Sequence, residues 1–200
     1  MTSLRNNVDV DLTTSERLLA AARACILDIG WKRTTLTDVA NRAEVSRMTV
    51  YRTFSDMPTL FAELMTREWA GVVAGVIEDQ PADHSWPERI AGGVSGTVLA
   101  LRDNELFRRA VDLDPEWLLP YLLDRRGRSQ DGVLEVLTER ITEGQSSGEV
   151  RAGDPSVLAR SVVLAAHGFA LSLPTMTDEG VSAEALDTEL GELIRRYLAA

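Results

Sequence analysis

Residues 35–54 constrain this chain more than any other stretch. Thr35-Leu36-Thr37-Asp38 has the spacing of a capping box, in which a hydroxyl and a carboxylate three residues apart satisfy backbone donors at a helix start. The helix it opens ends near Ala43, and Glu44-Val45 leave only a very short link before Ser46, a second natural N-cap. A helix from there to Phe54 completes two short helices on a tight turn, which is the helix-turn-helix unit. Val39, Ala40, Ala43, Val45, Val50 and Phe54 supply its apolar interior. Met48, Thr49 and Arg52 point away from Val50 and Phe54, and Arg47 projects past the start of the second helix.

The flanking sequence is helical as well. Ser15 to Ile29 contains neither proline nor glycine and stops at Gly30. Asp56 caps a long helix with Pro58 in its first turn, where a missing N–H costs little. Leu60, Phe61, Leu64, Met65, Val72 and Val76 form one face of it. Residues 80–87 read as a loop and 90–101 as a glycine-rich helix. Asp114-Pro115 reads as an N-cap and first residue, Pro120 as a kink or break, and 144–153 as a turn. Asp154-Pro155 open a helix that Pro174 should end. The last helix carries Leu186, Leu190, Leu193, Ile194, Tyr197 and Leu198 at a 3.6-residue period. With no strand pattern and no internal repeat, the expected class is all-α.

Charge separates the two ends of the chain. The net charge is −10, which argues against a general nucleic-acid coat. Residues 1–57 nevertheless hold eight basic and seven acidic residues, a balance of +1, so the remainder carries −11. Within 31–55 the balance is +3, from Lys32, Arg33, Arg42, Arg47 and Arg52 against Asp38 and Glu44. An acidic body with one small basic end can meet phosphate at that end alone. The only cysteine, Cys25, excludes an internal disulfide and a cysteine-rich zinc module. It reads as a small core residue. Two histidines, His84 and His167, offer neither a metal set nor a partner for nucleophilic catalysis, so no metal, no cofactor and no enzymatic activity are expected. No secretory leader is evident. The longest apolar run, 162–173, is interrupted by His167 and Ser172 and falls short of the ~20 residues of a membrane span. A cytoplasmic protein with no membrane partner is the expectation.

The stretch Gly30-Trp31-Lys32-Arg33-Thr34-Thr35 through Val39-Ala40, Ala43-Glu44-Val45-Ser46 and Tyr51-Arg52-Thr53-Phe54 resembles the TetR (tetracycline-repressor) family. Gly30, Trp31, Thr34, Thr35, Val39, Ala40, Ala43, Val45, Ser46, Thr49, Tyr51 and Phe54 match its pattern. The resemblance covers residues 12–72 and implies a three-helix DNA-binding domain there, followed over 73–200 by a helical ligand-binding and dimerisation domain. Two positions depart from the family. Glu44 stands where glycine is usual, which predicts a non-glycine residue at positive φ. Met57 stands where a phosphate-binding lysine is usual.

The resemblance implies that the helix after Ser46 reads the major groove of a double-stranded DNA operator, since an α-helix fits that groove. Arg47 suits guanine, Met48 a thymine methyl, and Thr35, Thr37, Thr49 and Tyr51 phosphates; Arg52 suits either. Trp31 is expected between the first and fourth helices. A ligand-responsive regulator, most simply a repressor released by a small hydrophobic effector, would place Trp69, Trp86, Phe107, Trp117, Tyr121, His167 and Phe169 around that effector. The same residues also suit a plain core. A homodimer would join through Val162, Ala166, Phe169, Leu186, Leu190, Ile194 and Tyr197 on the last two helices, as a four-helix bundle. Gating by a protein partner, or a small helical enzyme, are the competing readings.

Overall fold

The computed structural model describes residues 13–78, 81, 83–113 and 115–200, without the side chains of 72–78 and Trp117. The expected N-cap at Asp114, and the side chains of Val72, Val76 and Trp117, lie outside the described residues. Within them the chain forms helices α1 (Thr14–Ile29), α2 (Leu36–Arg42), α3 (Arg47–Thr53), α4 (Met57–Glu78) and α5 (Trp86–Asp103). These are followed by α6 (Glu105–Leu113), α7 (Leu119–Leu123), α8 (Arg128–Ser146), α9 (Pro155–Met176) and α10 (Ala183–Leu198). The fold is all-α, with no strand among the described residues. Two compact units divide at Leu64/Met65, inside α4; the boundary expected at 72/73 lies farther along the same helix.

In the first unit, α1 starts at a capping box. The Thr13 N–H donates to Glu16 Oε2 at 2.7 Å, and the Glu16 N–H donates to Thr13 Oγ1 at 3.3 Å. Leu18, Leu19, Ala22 and Ile26 then bury one face with Leu36, Val39 and Val50. Cys25 is buried and free. A short 3-10 turn, Trp31–Arg33, follows Gly30, whose φ of 84° explains the glycine. Trp31 meets Phe61 of α4 edge-to-face, centroids 4.6 Å apart. The hydroxyl of buried Thr34 donates to Gly30 O at 2.8 Å.

In the second unit α5 is the common partner of α8, α9 and α10. Ile90, Val98, Ile141, Leu158, Val162, Leu190, Ile194 and Leu198 form its core. Gly144 permits that packing: a Cβ there would lie 2.4 Å from Val150 Cγ2 and 2.9 Å from Trp86 Cβ. The C-terminus is clipped down by backbone bonds, with the Arg151 N–H donating to Leu198 O at 2.8 Å and the Ala200 N–H to Glu149 O at 3.2 Å. Arg102 on α5 pairs with Asp187 on α10 at 2.5 Å, both largely shielded.

Several expectations change here. Trp86 and Pro87 belong to α5 and not to a loop, because Ser85 and Glu88 form a capping box ahead of them. Helix α8 runs through Gly144 to Ser146, and α9 carries Pro174 inside its last turn, ending at Met176. At 22 residues, with a mean hydropathy of 1.5 over an 18-residue stretch, α9 is long and apolar enough to cross a membrane by length and composition alone, which the interrupted run 162–173 understated. The largest correction concerns the expected dimer contacts. Val162, Leu190 and Ile194 are 1%, 0% and 0% exposed within the single chain, so they have no surface left for a partner. A 3.6-residue stripe marks a buried face; here that face of α10 packs on α5 and α9 of the same chain. Ala166, Phe169 and Tyr197 lean on this core too, and Leu186 is half-buried. The outward large apolar residues of these helices are Val157, Leu164, Met176 and Leu193.

Candidate nucleic-acid interface

Three local devices position α3. The first is the cap of α2. The Thr35 N–H and hydroxyl both donate to Asp38 Oδ2, at 2.9 and 2.6 Å, and the Asp38 N–H donates to Thr35 Oγ1 at 3.2 Å. The Thr35 hydroxyl beside it, then its backbone N–H, hold the Asp38 carboxyl below its usual range. The Thr35 hydroxyl proton is thus spent inside the box. A phosphate contact through it would require the box to open, which corrects the expectation for this residue.

The second device is the turn. Glu44 has φ 55°, as its place in the family pattern predicts. It fills the left-handed position of a Schellman turn: the Glu44 N–H donates to Asn41 O at 3.2 Å and the Val45 N–H to Ala40 O at 3.0 Å. The third is Ser46. Its Oγ accepts from the Thr49 N–H at 3.1 Å and lies 2.9 Å from Thr49 Oγ1. Two hydroxyls that share one hydrogen bond leave one proton to point outward.

Val50 and Phe54 are buried and fix the inner face of α3. Met48 and Tyr51 stand out at 77% and 56% exposure. Arg47 and Arg52 are exposed and form no hydrogen bond or ion pair among the described residues. The local positive charge is therefore narrower than its count suggests. Arg42 is taken by Asp28 at 2.5 Å, which raises its already high pKa, and Arg33 Nε donates to Ile29 O at 2.7 Å. The Thr37 hydroxyl, at the start of α2, has no hydrogen-bond partner among the described residues. Apolar methionine, a phenol, open guanidiniums and outward hydroxyls on one short helix and its neighbour's start can reach base edges and phosphates together. Two residues outside the sequence reading hold this unit: Asp28, and Arg17, whose Nη2 donates to Ala43 O at 2.8 Å. Their partners lie 14 and 26 positions away, beyond any local pattern.

The aromatic residues of the second unit do not gather. None of their described rings stacks on another. Trp86 sits under Arg89, 4.4 Å from its centroid, with Arg140 at 5.8 Å, and packs with Phe169 against the core. Tyr121 lies under Arg125 at 5.2 Å. Phe107 is buried. Trp69 Nε1 is buried without a hydrogen-bond partner among the described residues. His167 is half-buried, and desolvation pushes its pKa down toward the neutral imidazole. No group of three or more metal-ligating side chains occurs among the described residues.

Residues 18–64 match the sequence pattern of bacterial regulatory proteins of the tetR family. An uncharacterised HTH-type transcriptional regulator of Mycobacterium bovis is 34% identical over 185 residues, 92% of this chain and 94% of the relative. In fold the chain is similar to the regulator FadR from Bacillus subtilis, solved in complex with stearoyl-CoA, at a TM-score of 0.64 and 19% identity over 90% of this chain and 97% of that one. It is also similar to SmeT, solved with triclosan, at a TM-score of 0.63 and 20% identity over 94% and 93% of the two chains. With two short helices on a tight turn, and an HTH-type regulator 34% identical over most of both chains, this chain belongs to the TetR family of DNA-binding transcription regulators.

Proposed function

We propose that this protein is a cytoplasmic, homodimeric repressor whose two α3 helices enter successive major grooves of a pseudo-palindromic operator, and which a small hydrophobic effector releases. The observation that carries the DNA-reading half is the open pair Arg47 and Arg52 on α3, a helix whose start is fixed by the Ser46 cap. Arg47, at the first position of α3, presents a planar fork to guanine O6 and N7, and Met48 packs on a thymine methyl. Thr37, Thr49 and Tyr51 meet phosphates.

Binding to an operator and to its single-base variants, at fixed salt, tests the assignment. Arg47→Ala should cost ~1–3 kcal/mol per half-site and flatten the preference at one base pair in each half. Thr49→Ala should weaken all sequences alike. If Arg47→Ala lowers affinity uniformly while every base preference survives, Arg47 is a phosphate contact and base reading belongs to Arg52 or Met48.

Dimerisation is supported by α9, of whose apolar stretch only 28% is buried inside the chain. Val157, Leu164 and Met176, with Leu193 of α10, are the large apolar residues left to cover. An effector is supported by stearoyl-CoA, with its long apolar acyl chain, and the aromatic triclosan in the two similar folds, and by the unpartnered indole N–H of Trp69, a donor for an effector oxygen. The effector acts only through unequal affinity for the DNA-bound and free conformations. A thermal-shift screen with fatty acyl and aromatic compounds, followed by release from the operator, tests it. Release by a protein and by none of these compounds would favour the partner-gated reading.

A further inference from the structure

We infer that Arg17, on α1, is a positioning residue for DNA reading: it holds the turn that orients α3 without touching DNA. The carbonyl it binds is that of Ala43, and this carbonyl belongs to the Ala43–Glu44 peptide. Rotation of that peptide changes ψ of residue 43 and φ of residue 44 together. Glu44 is held at φ 55°, a region that an L side chain rarely adopts and that would relax if the peptide turned over. Three carbonyls near the end of α2 are satisfied by the helix and turn themselves: Val39 O by the Ala43 N–H, Ala40 O by Val45, and Asn41 O by Glu44. Ala43 O takes its donor from outside, the Arg17 guanidinium at 2.8 Å.

Arg17 is itself well anchored. Its N–H donates to Thr13 O at 3.0 Å, one turn into a helix whose start is locked by the Thr13–Glu16 box. A continuous path therefore runs from the α1 cap through Arg17 to the strained peptide, then two residues on to the Ser46 cap and Arg47. The Asp28–Arg42 pair ties the end of α2 to the other end of α1, so α1 braces the turn from two points. A charged donor on a carbonyl is the stronger kind of hydrogen bond, which suits a clamp on a strained peptide.

The competing role for an exposed arginine in such a unit is a phosphate contact, and the two roles differ in measurable ways. Affinity for the operator and for random DNA of equal length is measured for the full chain, Arg17→Ala, Glu44→Gly and the double variant across a salt series. A positioning role predicts about a tenfold loss for Arg17→Ala on the operator, little loss on random DNA, and an unchanged salt slope. The loss shrinks in the Glu44→Gly background, where positive φ costs nothing and the clamp is less needed. Should Arg17→Ala not fold, Arg17→Lys keeps a charged donor and should retain most of the operator preference. Equal losses on both DNAs with a salt slope shallower by about 0.9 per lost contact would make Arg17 a phosphate ligand and overturn the inference. So would an equal loss with and without Glu44→Gly, or the same tenfold loss of operator preference in Arg17→Lys.

Discussion

Replacing Glu44 by glycine should stabilise the first unit. A left-handed φ costs an L residue roughly 1–2 kcal/mol, and glycine pays none of it. Glycine brings back roughly 0.5–1 kcal/mol of unfolded-chain entropy. The Glu44 side chain is exposed and makes no hydrogen bond or ion pair among the described residues, so its loss removes little contact. The N–H that donates to Asn41 O is kept. The net gain is about 0.5–1 kcal/mol, a rise of ~0.25–0.5 M in urea midpoint for a slope near 2 kcal/mol/M. Urea unfolding, with amide exchange in α2 and α3 to localise the effect, is the assay. Removing a carboxylate beside the phosphates should also tighten DNA binding, more so at low salt. A lower midpoint, or slower exchange confined to other helices, would refute the argument, because at φ 55° the strain relieved should outweigh the entropy that glycine returns to the unfolded chain.

Three further outcomes are expected. Gly144→Ala should cost roughly 1–3 kcal/mol, because the new Cβ meets Val150 and Trp86; an unchanged denaturation midpoint would mean the two helices part easily. Leu190→Glu or Ile194→Glu should unfold the second unit, as seen by circular dichroism, while Leu164→Glu with Leu193→Glu should give a folded monomer in sedimentation; a folded monomer from the first pair would put the core assignment in error. Glu192 is held at about 2, against a usual 4.5, by hydrogen bonds from Arg195 and Arg196. The folded state binds this proton less readily than the unfolded one, so the contribution is full above pH 4.5 and is lost as pH falls toward 2. Glu192→Gln should flatten the stability profile in that window, and an unchanged acid limb would show the pairs to be inert.

The sequence determined the parts whose forces are local. The capping box at Thr35–Asp38, the Ser46 cap and the Gly30 stop act over three or four residues, so spacing alone identifies them; the Ser85–Glu88 box has the same spacing, yet 80–87 reads as a loop from sequence. Positive φ at Glu44 followed from the family pattern at a short link. What the tertiary structure decided are the questions of which face meets what. The stripe through Leu190 and Ile194 announces burial equally well against its own α5 or against a second copy, since the hydrophobic effect is non-directional. The same limit hid the scatter of the aromatic residues, which share a composition and not a place. The clamp of Arg17 on Ala43 and the capture of Arg42 by Asp28 join residues whose separation along the chain carries no period. Only when α1 and α2 pack do these arginines find their acceptors, and only then is it settled that Arg47 and Arg52 are the cations left open on α3.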